Sequence, residues 1–264
     1  MQPNQMFSLE GLTALVCGAS QGIGKATAHA MARQGAKVVL LARNVEALEQ
    51  VRNQLDQPER HLCITADLSS ANEIDSAIEK MITKGFSPEI LVNNAGGPSS
   101  GPLLDAHPET FEAAFRAHVL AQLQLSQKLV PAMKNKNFGR IINIISTSVR
   151  VPIANLGASN TIRAAVAGFA KTLSNELAPS GITVNNVLPG FTQTERLESL
   201  IQAAANRLNL SPQSVRDTWV KQVPMGRFAK AEELAATIAF LASREAGYIT
   251  GTSIQVDGGR IGAI

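Results

Sequence analysis

Three glycines in one short stretch offer the first chemistry in this chain. Val16-Cys17-Gly18-Ala19-Ser20-Gln21-Gly22-Ile23-Gly24 joins an apolar run, Leu12 to Val16, to a segment of helical spacing, Lys25 to Gln34, with Ala26, Ala30 and Met31 on one face. Strand, glycine turn and helix make a phosphate cradle. Glycine lets the backbone bend tightly and approach a diphosphate, and the helix start offers free N–H groups and the positive end of its dipole. The candidate contacts are Gly18, Ser20, Gln21, Gly22, Ile23 and Gly24. A dinucleotide's ribose is read at the end of the second strand, where an acid would bond the 2′-hydroxyl of NAD and repel a 2′-phosphate. Here the chain has Leu41-Ala42-Arg43-Asn44, with no acid. Arg43 can pair with phosphate through two N–H groups, so NADP(H) is the expected cofactor.

The elements that must hold these groups alternate from end to end. Strands are expected at Leu12 to Val16, Lys37 to Leu41, Leu62 to Ala66, Ile90 to Val92, Gly139 to Ser146, Ile182 to Leu188 and Ser253 to Val256. Between them, helices are expected at Val45 to Gln54 behind an Asn44 cap, from a Ser70-Ala71-Asn72-Glu73 capping box to Lys84, at Pro108 to Lys136, Ala154 to Ala178 and Lys230 to Ala242. This order argues a single α/β domain, 1–264, built on a doubly wound, mostly parallel sheet of Rossmann type. The segment 194–223 breaks the rhythm with two helical pieces and no strand. It follows the sixth strand at the edge where such sheets bind ligands, so it reads as a lid.

Composition narrows the class. A net charge of +3 with scattered basic residues argues against nucleic acid. Two cysteines, Cys17 and Cys63, have no metal or redox spacing, so they read as reduced thiols of a cytoplasmic protein with no bound metal. No apolar run has membrane-spanning length, and Met1 to Glu10 reads as a short arm, not a secretory signal.

The glycine spacing, G-x-x-x-G-x-G, resembles the short-chain dehydrogenase/reductase family, with Cys17 where the family usually has threonine. Further stretches match in order: Asp67-Leu68 after the third strand, Asn93-Asn94-Ala95-Gly96 after the fourth, and Pro189-Gly190 with Thr192 and Thr194 after the sixth. Pro224-Met225-Gly226-Arg227-Phe228, Glu232-Glu233, Thr250-Gly251 and Asp257-Gly258-Gly259 resemble its C-terminal signatures. The resemblance implies that Asp67 and Leu68 approach the adenine, that Asn94, Ala95 and Gly96 pass the ribose, and that Pro189, Gly190, Thr192 and Thr194 meet the nicotinamide. One of Asn93 and Asn94 is expected only to tether strand and turn. A homotetramer built through the long helices is implied as well.

The family's Asn, Ser, Tyr, Lys active site survives here in one member. Alignment on Gly139-Arg140-Ile141-Ile142 puts its serine at Ser146, while Ser159, Arg163 and His118 stand at the tyrosine, lysine and asparagine positions. The chain's one tyrosine, Tyr248, has no lysine four residues on. An alkyl hydroxyl is a far weaker acid than a phenol, and arginine keeps its proton. Arg163 can still hold ribose hydroxyls and bring positive charge to the reacting oxygen. His118, with an ordinary pKa near 6.5, is the candidate proton donor, or else a core histidine bonded to backbone. Ser148 is a second candidate oxyanion partner, and His107 reads as a loop residue. Three readings follow. The first is an NADP(H)-dependent reductase of a small carbonyl or acyl-thioester substrate, similar to the 3-oxoacyl-carrier-protein reductases, with a replaced proton donor. The second is an NADP(H)-binding sensor or subunit without hydride transfer. The third, other chemistry of the halohydrin dehalogenase kind, ranks last, because those proteins keep the tyrosine and lose the glycine turn.

Overall fold

The computed structural model describes residues 7–262; most of the N-terminal arm expected from the sequence lies outside them. Seven strands form one parallel sheet in the order β3-β2-β1-β4-β5-β6-β7. They are β1 Thr13–Cys17, β2 Lys37–Ala42, β3 Leu62–Thr65, β4 Ile90–Asn93, β5 Gly139–Ile144, β6 Ile182–Pro189 and β7 Ser253–Val256. The chain runs outward from β1 to one edge and then back past it to the other, so the order reverses between β1 and β4. That reversal opens the crevice in which doubly wound sheets hold ligands.

Alternate strand residues feed two cores. Ala14, Val16, Val38, Leu40, Ile90, Val92 and Ile142 face α1 (Gly22–Arg33), α2 (Val45–Arg52) and α9 (Ala231–Ala242). Leu15, Val39, Leu41, Leu91, Ile141 and Val184 face α3 (Ala71–Thr83), α5 (Ala121–Asn135) and α6 (Gly157–Leu177). Burial on both faces is why these strands read as near-continuous apolar runs.

Polar residues interrupt those runs at matching places. Asn93, Asn143 and Asn186 lie opposite one another on β4, β5 and β6. Each amide donates to the next side chain: Asn93 to Asn143 at 2.9 Å, Asn143 to Asn186 at 2.9 Å, and Asn186 to Ser253 of β7 at 3.1 Å.

One expected helix detail is met and two depart from the expected pattern. The Asn44 cap is made, its Oδ1 accepting the Ala47 N–H at 2.9 Å. At α3 only half of the capping box forms. Ser70 Oγ accepts the Glu73 N–H at 3.4 Å, but the Glu73 carboxylate turns back to the Asp67 N–H at 2.9 Å. The helix expected over Pro108 to Lys136 is divided into α4 (Pro108–Phe115) and α5 by a wide turn, Arg116–Leu120, closed by the Ala121 N–H on the Arg116 carbonyl. This i→i+5 bulge rotates His118 inward, where it is 1% exposed.

The 194–223 segment forms α7 (Glu195–Leu208) and α8 (Pro212–Val220). The pair has its own small core of Leu197, Ile201, Val215 and Phe228, with Phe191 stacked on Trp219 at 4.9 Å. Its neck is pinned where the Ala229 N–H bonds the Phe191 carbonyl and the Gln193 N–H bonds the Ala229 carbonyl, both at 2.9 Å. Among the described residues no helix is long and apolar enough to cross a membrane.

Candidate functional site

The glycine turn is shaped by what a side chain would strike. A Cβ on Gly24 would lie 2.0 Å from the Gly18 carbonyl oxygen, and one on Gly18, at φ +60, would lie 2.7 Å from the Asn94 amide nitrogen. Gly22, at φ +54, faces Thr194 across the crevice, its missing Cβ 3.2 Å from the threonine methyl. The α1 start carries no acid in its first turn and no side-chain cap from Gln21. Its N–H groups are therefore free to take an anion, and this cradle fits a dinucleotide diphosphate. Ser20 is half-buried, Gln21 exposed, and Ile23 packs on the sheet core. Cys17 is fully buried and its thiol is pushed up to about 12 by desolvation, which leaves it inert.

A cavity of about 470 Å³ lies between the loops after β2, β3 and β4 and the helix α4, lined by Arg43, Asp67, Ser69, Gly96, Thr110 and Ala114 among others. The Arg43 side chain is 81% exposed and stands 3.9 Å from Asp67, a contact too long and too open to occupy it. Asp67 accepts from the Ser69 N–H at 2.8 Å and hydroxyl at 2.7 Å, and these bonds hold its carboxyl below the usual range. Leu68 packs against the α3 side of the sheet.

Asn94 corrects an expectation. Its amide donates toward the Cys17 and Gly18 carbonyls at 3.3 and 3.4 Å, so its side chain is spent on the glycine turn. With Asn93 in the row of strand amides, both asparagines tether structure, where only one was expected to. Gly96 is exposed with open space around its α-carbon, and Ala95 is half-buried beside it. Across the crevice, Gly190 passes so close to β7 that a Cβ would meet the Asp257 α-carbon at 2.7 Å, and Pro189 ends β6. Thr192 is buried, its hydroxyl donating to the Gly190 carbonyl at 3.2 Å. Thr194 caps α7, accepting the Leu197 N–H at 3.4 Å.

The reaction end lies past β5. Ser146 Oγ accepts the Ser148 N–H at 3.0 Å, which leaves the Ser146 proton free to be donated outward. Ser148 Oγ is buried and makes no bond. Ser159 and Arg163 stand one turn apart on α6, both buried. The Arg163 guanidinium donates to the Ile144 carbonyl at 2.7 Å and the Ala95 carbonyl at 3.4 Å, tying the ends of β5 and β4 together. Burial, with Arg196 nearby, lowers its pKa to about 10, so it stays charged at neutral pH.

His118 takes the second of the two readings left open by the sequence, the core histidine bonded to backbone. Its Nε2 lies 2.9 Å from the Gly96 carbonyl, and the ring therefore donates there. Burial first, then the Arg163 charge, pushes its pKa down to about 3. A neutral imidazole locked on a carbonyl is no acid at neutral pH; it positions Gly96 instead. Tyr248 is fully exposed on the loop before β7. No group of three or more His, Cys, Asp or Glu side chains among the described residues could hold a metal ion. Sequence reasoning missed Arg196, whose Nη2 donates to the Pro98 carbonyl at 2.7 Å. A cation in the first turn of a helix, against the dipole, was the available signal.

Known proteins share this fold. The family described as enoyl-(acyl carrier protein) reductase matches residues 18–260. An NADPH-dependent reductase of Bacillus subtilis, BacG, is 34% identical over 255 residues, covering 96% of this chain and 98% of that protein. The 3-oxoacyl-[acyl-carrier-protein] reductase FabG of Escherichia coli is 35% identical over 255 residues, with the same coverage of each. The structure of L-sorbose reductase from Gluconobacter frateurii, complexed with NADPH and L-sorbose, superposes with a TM-score of 0.91 at 30% identity, covering 98% of this chain and all of that one.

Proposed function

The chain belongs to the short-chain dehydrogenase/reductase family, and from that premise we propose that it is an NADP(H)-dependent reductase of small carbonyl or acyl-thioester substrates that works without the family's tyrosine. The observation that carries this reading is the intact cradle, in which Gly24 and Gly18 approach as only glycines can. Arg43, accessible and without an acid in the NAD position, supports the 2′-phosphate, as do the NADPH-dependent relatives.

When bound, NADPH supplies the hydride; the chain's own residues do the rest. Ser146, held by the Ser148 N–H, donates its hydroxyl proton in a hydrogen bond to the carbonyl oxygen. Arg163 holds a permanent charge beside that oxygen from a seat on two backbone carbonyls, and Ser159 lines the same turn of α6. None of these groups is a strong proton donor at neutral pH, so solvent water or the substrate itself delivers the proton. The 194–223 helices act as the lid. Exposed Phe115, Leu120 and Leu123 on the α4–α5 face support a homotetramer, and the chain works in the cytoplasm.

The test is a screen of ketones, 3-oxoacyl thioesters and secondary alcohols at saturating NADPH or NADP⁺, following absorbance at the reduced nicotinamide. Slow turnover that Ser146→Ala lowers further is expected. Tight NADPH binding with no turnover on any class would favour the sensor or subunit, the reading that the exposed Tyr248 and the locked His118 support.

A further inference from the structure

Arg163, buried on α6, and half-buried Arg196 on α7 are two cations that reach the same loop. Arg196 projects from the first turn of α7 to the loop after β4. Its Nη2 donates to the Pro98 carbonyl at 2.7 Å and covers Gly97, where a Cβ would come within 3.1 Å of the same nitrogen. Arg163 reaches the same loop from α6 and donates to the Ala95 carbonyl. Two guanidiniums thus bind backbone carbonyls within one stretch, 95–98, beside the exposed Gly96.

Neither has a carboxylate partner among the described residues, whereas Arg52, Arg216 and Arg227 each stand in an ion pair; buried Arg140 also lacks one, but its guanidinium bonds the Gly139, Gly181 and Ser243 carbonyls. Burial pulls both guanidinium pKa values down, and Arg196 adds to the lowering at Arg163. Like charges brought together and partly stripped of water are costly to hold. A bound anion would offset that cost. Donors remain for it: Arg196 makes one hydrogen bond from five N–H groups.

We propose that Arg196 and Arg163 form an anion clamp beneath the insertion, with Arg196 as the specificity-determining member. The clamp takes an oxyanion, the carboxylate of a 2-oxo acid substrate, while the dinucleotide diphosphate stays on the glycine turn. The Arg196 guanidinium exchanges the Pro98 carbonyl for a charged oxygen, and α7 is drawn down with it. The choice of a 2-oxo acid rests on the reductase reading; the clamp itself does not.

The experiment titrates the full chain by calorimetry as wild type, Arg196→Gln and Arg196→Lys, first with NADPH and then with oxamate or its neutral ethyl ester added to the NADPH complex. Arg196→Gln is expected to weaken oxamate binding by about tenfold or more, the range of a charge-assisted hydrogen bond, with Arg196→Lys between it and wild type. An equal loss on NADPH, whose diphosphate sits on the glycine turn, overturns the assignment to a substrate carboxylate. Loss on oxamate alone, with the ester unaffected, assigns it to the substrate carboxylate. Unchanged affinity for both probes in Arg196→Gln overturns the clamp, and if that variant fails to fold, unchanged affinity in Arg196→Lys together with salt-independent binding in wild type does the same. A wild-type enzyme that turns over no carbonyl yet loses anion affinity in Arg196→Gln would remove the reductase reading and leave the clamp standing.

Discussion

The two ends of the crevice are built from different materials. At the β1–α1 end the parts are backbone: glycine α-carbons, a carbonyl 2.0 Å from where a Cβ would be, and the free N–H groups of α1. At the β5–α6 end they are side chains, Ser146, Ser159, Arg163 and His118, set on helices and strands that would form with other residues in their places. Backbone shape can be lost through a single methyl group. A side-chain constellation can be exchanged member by member while the fold stays whole, and in the function proposed above three of its four positions are exchanged. Cofactor binding and proton supply are thus separable properties of one crevice.

The sharpest way to break that comparison is Gly24→Ala. The added methyl overlaps the Gly18 carbonyl, so the turn must open. Calorimetry should find no NADPH binding, and thermal melting should show a loss of about 1–3 kcal/mol, typical of an overpacked site. Gly96→Ala, with open space at its α-carbon, should keep wild-type stability. Equal NADPH affinity in Gly24→Ala and wild type would mean that the diphosphate lies elsewhere.

A gain at the other end would sharpen it. Ser159→Tyr combined with Arg163→Lys restores the missing acid and its cation, and general acid catalysis contributes roughly 10²–10⁴-fold. Carbonyl reduction should rise by an amount in that range with NADPH affinity little changed. A double variant that binds NADPH normally and reduces no faster would show that proton supply does not limit the rate.

The smallest expected effect is on pH. His118 titrates near 6.5 in the unfolded chain and at about 3 when folded. Between those values the unfolded chain binds a proton that the folded one does not, so stability falls as pH drops below 6.5. His29 and His61 are shifted in the same direction by burial. Melting temperature should decline between pH 6.5 and 5, less steeply in His118→Asn, while the rate profile from pH 6 to 8 shows no step from His118. A rate step near 6.5 abolished by His118→Asn would return the imidazole to the role of proton donor.

What could be read from the chain follows the same division. The sheet, its helices and the glycine turn were legible because apolar spacing and glycine placement are local signals, and Asn44 is a cap of the ordinary kind. The bulge at Arg116–Leu120 was not, since an i→i+5 turn leaves no mark in composition. Nor were the partners of Asn94 and His118. Both bond to backbone carbonyls, 77 and 22 residues away, and a carbonyl has no letter in the sequence. The capping box at Ser70 failed for the same reason, Glu73 having found the Asp67 N–H.

The row of amides on β4, β5 and β6 has a consequence for assembly. Parallel strands made of valine, isoleucine and leucine look alike at every position, and apolar contact alone discriminates poorly between one alignment and the next. Side chains alternate between faces, so sliding a strand by one residue would turn its asparagine to the opposite face. Sliding by two would set each amide against an aliphatic neighbour. Either error strands buried polar groups without partners, at about 1–3 kcal/mol apiece. The observed alignment closes all three links from Asn93 to Ser253, so a slip of β5, whose one asparagine is Asn143, breaks two of them at once.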